Sequence, residues 1–180
     1  KAKELGLELS VSAGDQFAAD SQIPVVNAVA ATKPAVAVIV PTDMQALIEP
    51  LVCDHSLIYS RALLGFDAFE PAELEAFAPV PQRLVRRHAG SGRKSIYLSS
   101  HIGTIHGWQR PEALSLIRDL VEHATQRQFC YSHQWRPHDL VIWDNRCTMH
   151  RATAFDDRKF KRDMRRLTLE DVAPTLEQAA

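Results

Sequence analysis

The sequence predicts a chain in two parts: an α/β unit over residues 1 to 50, in the order β-α-β-α with parallel strands, and an α+β part over residues 51 to 180. Three observations carry this expectation. The first fifty residues alternate strand-like runs with stretches of helical length. The hydrophobic period changes near residue 51. Beyond it, short apolar runs bounded by turn residues flank one long amphipathic stripe, as a helical insertion among antiparallel strands would.

In chain order, Leu7 to Ser12 alternates as a strand and Gly14-Asp15 turns the chain. Ser21 to Thr32 has helical length, Lys33-Pro34 separates it, and Ala35 to Val40 is a continuous apolar run of the kind that fills a parallel sheet. Thr42 and Asp43 are expected to cap a helix from Met44, and the crossover should be right-handed. Gly90-Ser91-Gly92-Arg93-Lys94-Ser95 invites a phosphate-loop reading. That loop needs glycine immediately before lysine and a helix after it. Arg93 stands there instead, followed by a strand-like run, so Gly90 to Gly92 is expected to turn a hairpin between Leu84-Val85 and Ile96 to Leu98. Arg83, Arg86, Arg87, Arg93 and Lys94 form a basic cluster, read as a solvated face. Leu114, Ile117, Leu120 and Val121 recur at helical spacing and form a packing stripe. Leu140 to Trp143 follows the turn-forming Pro137-His138-Asp139 and predicts a buried strand; Asp144-Asn145-Arg146 breaks it. Cys147 to Ala152 then forms a second extended segment with His150 on one face.

Composition narrows the function classes. A chain of 180 residues, 46% hydrophobic and 24% charged, is an ordinary globular one. A net charge of -1 gives no electrostatic reason to invoke nucleic acid or an anionic membrane surface. The three cysteines, Cys53, Cys130 and Cys147, lack paired spacing, which predicts neither a disulfide framework nor a zinc motif and fits a reducing, cytoplasmic compartment. No apolar run reaches the roughly 18 residues of a membrane span. The start Lys1-Ala2-Lys3-Glu4-Leu5 has neither a signal peptide's apolar stretch nor an initiator methionine, so the chain reads as an excised or processed piece.

The stretch Trp135 to Thr153, WRPHDLVIWDNRCTMHRAT, carries the chemistry. It resembles the C-terminal signature of the taurine dioxygenase (TauD/TfdA) family of Fe(II)- and 2-oxoglutarate-dependent oxygenases, approximately W-x-P-G-D-x-x-x-W-D-N-R-x-x-x-H-R-A. Downstream, Arg162-Asp163-Met164-Arg165-Arg166-Leu167-Thr168 fits the family's R-x-M-x-R-x-T, its outer arginines 12 and 16 residues after the histidine. The resemblance covers residues 51 to about 174, including CDHSLIYSRALLGF and PVPQRLVRRHAGSGRKSIYLSSHIGTIHGW. It implies that His150 is the distal iron ligand, that Arg162 grips the far carboxylate of 2-oxoglutarate, and that Arg166 lies beside the anionic co-substrate or substrate. The chemistry suits these types. A neutral imidazole binds Fe(II), and a guanidinium fork offers a carboxylate two parallel charge-assisted hydrogen bonds. The implied fold is a partial double-stranded β-helix, a jelly-roll of cupin type, with a helical insertion, and the implied substrate is a small organic anion. His55 and His101 are not expected to be ligands, Asp144 is expected to serve the turn structurally, and no side chain is assigned a direct catalytic role.

Residues 1 to 50 resemble a fragment of the type I periplasmic sugar-binding proteins of ABC importers, in KAKELGLELSVSAGDQF, QIPVVNAVAATKP and VIVPTDMQAL. In that family polar residues at strand ends meet the ligand, so Asp15 and Asp43 are the positions to watch; as a turn residue and a helix cap they have an equally simple structural use. A sugar- or solute-binding module and a non-catalytic folded scaffold therefore stand beside the dioxygenase reading.

One departure weighs on activity. Family enzymes take their first histidine and their aspartate from an H-x-D motif, and none of the eight histidines here is followed two residues later by an acid. The chain is accordingly expected to bind iron weakly and to turn over little, and to be a fusion, a truncation or an artificial mosaic. Exposed sheet edges would be covered by the N-terminal block, by a second copy, or by a complementary half.

Overall fold

A computed structural model of the chain describes residues 27–28, 40–66, 68–160 and 163–178. In order, the elements are β1 (Asn27–Ala28), α1 (Thr42–Ile48), β2 (Val52–His55), α2 (Leu57–Ala62), α3 (Pro71–Ala76), β3 (Val80–Arg83), β4 (Val85–Arg87), β5 (Lys94–Ile96), β6 (Ile102–Ile105), α4 (Arg110–Ala124) and β7 (Asp139–Leu140).

Local chemistry sets the helix starts. The Ser56 hydroxyl accepts from the Tyr59 backbone N–H at 3.0 Å and so begins α2. Glu70 and Glu73 form a reciprocal capping box on α3, with Pro71 at its first position, where the missing N–H costs nothing. In α4 the residues Ala113, Leu116, Ile117 and Leu120 are buried, one turn-repeating stripe. The stripe is shifted from the expected one: Leu114 is half-buried, and Ala113 and Leu116 take the inward positions.

Strand β2 is the centre of an antiparallel sheet, order β3-β2-β6, with Cys53 opposite Gln82 on one side and Ile105 on the other. The stripe of α4 packs on it, and Val40, Ile48, Leu51, Cys53, Leu84, Ile102 and Ile105 complete one buried cluster. Val40 and Ile48 thus share a core with residues beyond 51. Helix α2 lies against β6 so closely that a Cβ on Gly103 would stand 2.9 Å from the Tyr59 ring. Among the described residues, no helix is long and apolar enough to cross a membrane.

The expected hairpin forms. β4 and β5 pair antiparallel, Val85 with Ile96 and Arg87 with Lys94, and Gly92 supplies the left-handed φ of +68° in its turn. Helix α1 begins at Thr42, so neither Thr42 nor Asp43 caps it: the cap is Pro41, without a side-chain hydrogen bond, and Asp43 sits in the first turn at the positive end of the helix dipole. Asn27 and Ala28 lie in the segment expected to be helical, yet their backbone is extended and pairs parallel with Asp139 and Leu140. Leu7 to Ser12, Asp15 and the start of the Ala35 run lie outside the described residues.

The strand expected over Leu140 to Trp143 stops at Leu140, and Cys147 to Ala152 is not a strand. The cause is Asp144. Its carbonyl accepts from the N–H groups of Cys147 and Thr148 at 3.2 and 3.0 Å and from the Thr148 hydroxyl at 2.6 Å, winding the segment into a turn.

Candidate functional site

Histidine 150 is exposed, two residues past that turn. Its ring lies 4.6 Å from the Trp143 ring, tilted by 47°. The Trp143 indole N–H in turn donates to Asn145 Oδ1 at 2.9 Å, so the residues flanking the turn orient the face on which the imidazole rests. Arg166 is exposed, in a stretch without regular secondary structure. Arg162 lies outside the described residues. Among those described, no hydrogen bond or ion pair joins His150 to Arg166.

The turn itself is held by charge. Asp144 Oδ1 accepts from the Arg146 backbone N–H at 2.9 Å and from its Nε at 2.8 Å, while Oδ2 accepts from the same guanidinium at 2.6 Å. His88 Nε2 is 2.9 Å from that second oxygen. The Arg146 fork holds the Asp144 carboxyl well below the usual carboxylate range, against the opposing effect of burial and with help from His88. Burial, and then the Asp144 charge, push the Cys147 thiol up. Asp144 therefore serves the turn structurally, as expected, with a partner 56 residues away that no local pattern announces.

A second knot lies beside it. Arg86 is 3% exposed, which corrects its placement on a solvated basic face: Val85 and Arg86, on opposite faces of β4, are both buried, and only Arg87 of the strand is exposed. The buried guanidinium donates to Asp171 and, at 2.6 Å, to Gln178 Oε1, and it stacks 5.4 Å from the centre of the Tyr97 ring. Burial would raise the Asp171 pKa; hydrogen bonds from Arg86, the Val172 N–H and Gln178 outweigh it, and the net shift is downward. Thr175 is buried too, accepting from the Arg83 N–H at 3.0 Å and donating to Gln82. A pocket of ≈ 270 Å³ opens between Gln82, Arg86 and Tyr97 on one side and Asp171 and Ala173 to Thr175 on the other.

Three other histidines, His55, His101 and His106, lie on or beside β2 and β6. His55 stacks on Tyr97 at 5.1 Å and its Nδ1 is 3.2 Å from Ser99 Oγ. Burial, followed by the neighbouring His101, pushes its pKa down to about 4. His101 Nδ1 is 2.7 Å from the Ser60 hydroxyl, and His106 is 2.8 Å from Asp54. Burial pushes the Cys53 thiol up to about 12, which makes it inert.

Which residues could hold a metal follows from these donors. His88, Asp144 and Cys147 bring one donor atom each to within 4.8 Å of one another. The Arg146 fork already engages both Asp144 oxygens, however, so a cation would have to displace a paired guanidinium. His150 is not part of that group. Among the described residues, no group of three metal-ligating side chains includes His150, so the two-histidine, one-carboxylate arrangement of a complete Fe(II) centre is not assembled around it.

Comparison with known proteins supplies the context. A family-wide sequence profile, "Taurine catabolism dioxygenase TauD, TfdA family", matches residues 35–168. The alpha-ketoglutarate-dependent 2,4-dichlorophenoxyacetate dioxygenase of Cupriavidus pinatubonensis is 43% identical over 133 residues, 74% of this chain and 46% of its own. The (S)-phenoxypropionate/alpha-ketoglutarate-dioxygenase of Sphingobium herbicidovorans is 38% identical over 63% of this chain and 42% of its own. Among solved structures, that of AAD-2 in complex with Mn(II) and N-oxalylglycine superposes with a TM-score of 0.71 at 52% identity, covering 76% of this chain and 54% of that one. The chain thus spans about half the length of the curated relatives it matches. The match begins at residue 35, inside the block read as similar to sugar-binding proteins, and that second resemblance finds no support.

Proposed function

The chain belongs to the taurine catabolism dioxygenase TauD, TfdA family, and on that premise we propose that it is the C-terminal, oxoacid-binding part of an Fe(II)- and 2-oxoglutarate-dependent dioxygenase for a small anionic organic substrate. The observation that carries the reading is the extent of the family match, residues 35–168, which takes in Trp143-Asp144-Asn145-Arg146, His150 and the Arg162 to Thr168 block. In this reading His150 is the distal iron ligand, Arg162 grips the far carboxylate of 2-oxoglutarate, and Arg166 lies beside the bound anion. Aryloxyalkanoic acids are the first substrate class to try, because relatives are named for dichlorophenoxyacetate and phenoxypropionate. The architecture we infer is part of a double-stranded β-helix. We place its start near residue 35 rather than 51, a boundary supported by the packing of Val40 and Ile48 into the common core.

When bound, iron would supply oxygen activation. The contribution of this chain is to hold the oxoacid and offer one imidazole; the H-x-D pair is not among its residues. The test is an NMR titration of the labelled chain with 2-oxoglutarate, repeated on Arg162→Met and Arg166→Met. The reading predicts weak, saturable shifts that Arg162→Met abolishes and Arg166→Met reduces. Absence of saturable binding in the unmodified chain would leave the folded-scaffold reading in its place.

A further inference from the structure

Residues 141 to 174 contain no helix or strand among those described, yet they carry His150 and Arg166. Something other than a backbone ladder must fix this stretch. The charged side chains on either side of it are connected. Arg146, four residues before His150, holds Asp144, which meets His88 at the end of β4. The same Arg146 reaches Asp171, five residues after Arg166, at 3.9 Å, the longest link. Asp171 is held by Arg86 of β4, buried against Tyr97 of the strand-like segment after β5. The hairpin therefore roots both ends of the irregular stretch, one through His88 and the other through Arg86.

We propose that Arg86 and Asp171 are positioning residues: the chain of contacts His88, Asp144, Arg146, Asp171, Arg86 sets the placement of the segment that bears His150 and the oxoacid-binding arginines. This rests on the functional reading above for its consequence, and on geometry alone for its existence. Charge-assisted contacts with a buried guanidinium suit the role. A planar fork fixes direction as well as distance, and at 3% exposure solvent cannot substitute for a lost partner. Gln178 and the Thr175 hydroxyl fasten the tail beyond Asp171 to the same hairpin and to β3, so a pull on Arg86 is felt over the whole tail. Arg86→Lys would keep the charge and lose the fork.

The test is amide hydrogen exchange of the full chain, read at Cys147 and Thr148 in the turn and at Val172 and Glu177 in the tail, all of which donate defined hydrogen bonds. It is run for Asp171→Asn, Arg86→Lys and Arg86→Met, with Arg93→Met in the exposed hairpin turn as control. Asp171→Asn is expected to speed exchange at both places roughly tenfold, the factor set by losing one charge-assisted contact. Exchange in α4 should stay unchanged, and Arg86→Lys should not rescue. The double variant Arg86→Met with Asp171→Asn should be no worse than the worse single one. Acceleration in the tail alone, additivity of the two changes, or full rescue by lysine would overturn the proposal. Asp171→Asn keeps the test decisive if Arg86→Met does not fold. In the 2-oxoglutarate titration, the positioning role predicts weaker binding for Asp171→Asn. A chain that shows the exchange pattern but binds no oxoacid would refute the functional reading and leave the positioning network standing.

Discussion

The stretch from Val40 to Leu120 and the stretch from Tyr131 to Leu176 are held by different physics. The first contains every buried hydrophobic residue among those described, from Val40 at 6% exposure to Leu120 at 4%. The second displays Tyr131, Ile142, Phe155, Met164, Leu167 and Val172 to solvent and, among its described residues, buries only Thr175. Its order comes from turns and ion pairs. The residues proposed for iron and oxoacid belong to this second stretch, so the proposal separates the structural scaffold from the chemistry along the chain.

The sharpest way to break this comparison is to empty the core. Ile48→Ala should destabilise the fold by about 3 kcal/mol, the usual cost of a buried aliphatic truncation, read as a lower urea midpoint of the helical signal. A small effect would mean that α1 does not belong to the core, and that residues 40 to 50 form a separate unit after all.

Acid should separate the two regions in order. His55 has its pKa lowered from 6.5 to about 4 in the folded chain, so its neutral form is favoured by folding. Its contribution is complete above pH 6.5 and is lost as pH falls from there to about 4, because the unfolded chain then binds the extra proton. The loss is ~3 kcal/mol. Asp144 and Asp171 have lowered pKa values, so what they contribute persists above the ordinary carboxylate range and goes only as pH falls through those lowered values. Urea curves at pH 7 and 4.5 should therefore differ for the unmodified chain and differ much less for His55→Gln, while exchange at Thr148 stays slow at both. Loss of the turn before the core would reverse the assignment.

The smallest effect is expected on the exposed side. Leu167→Ala, at a residue 54% exposed, should change stability by no more than about 0.5 kcal/mol. A larger loss would show that the C-terminal stretch is packed after all.

What the sequence made legible follows the same division. The hairpin over Gly90 to Gly92 could be read because its turn chemistry is local, and the α4 helix because its stripe repeats, though the inward face was off by one position at Leu114. The signature around His150 was legible as a family motif. Arg86 was misread as solvated because its partners, Asp171 and Gln178, lie 85 and 92 residues away, and no composition or period encodes such a pairing. The strand read over Leu140 to Trp143 failed for a related reason: the apolar run is real, but the hydrogen bonds that wind the chain at Asp144 decide the backbone.

The most direct measurement of the central proposal, that this chain supplies the oxoacid arginines and one iron ligand but not a working centre, is an anaerobic Fe(II) titration followed by oxygen-consumption and succinate assays, comparing the chain with His150→Ala. The account predicts weak iron binding that His150→Ala weakens further, and little or no succinate from either protein. Robust succinate formation that disappears in His150→Ala would contradict it, and would mean that another histidine and a carboxylate of this chain complete the iron site.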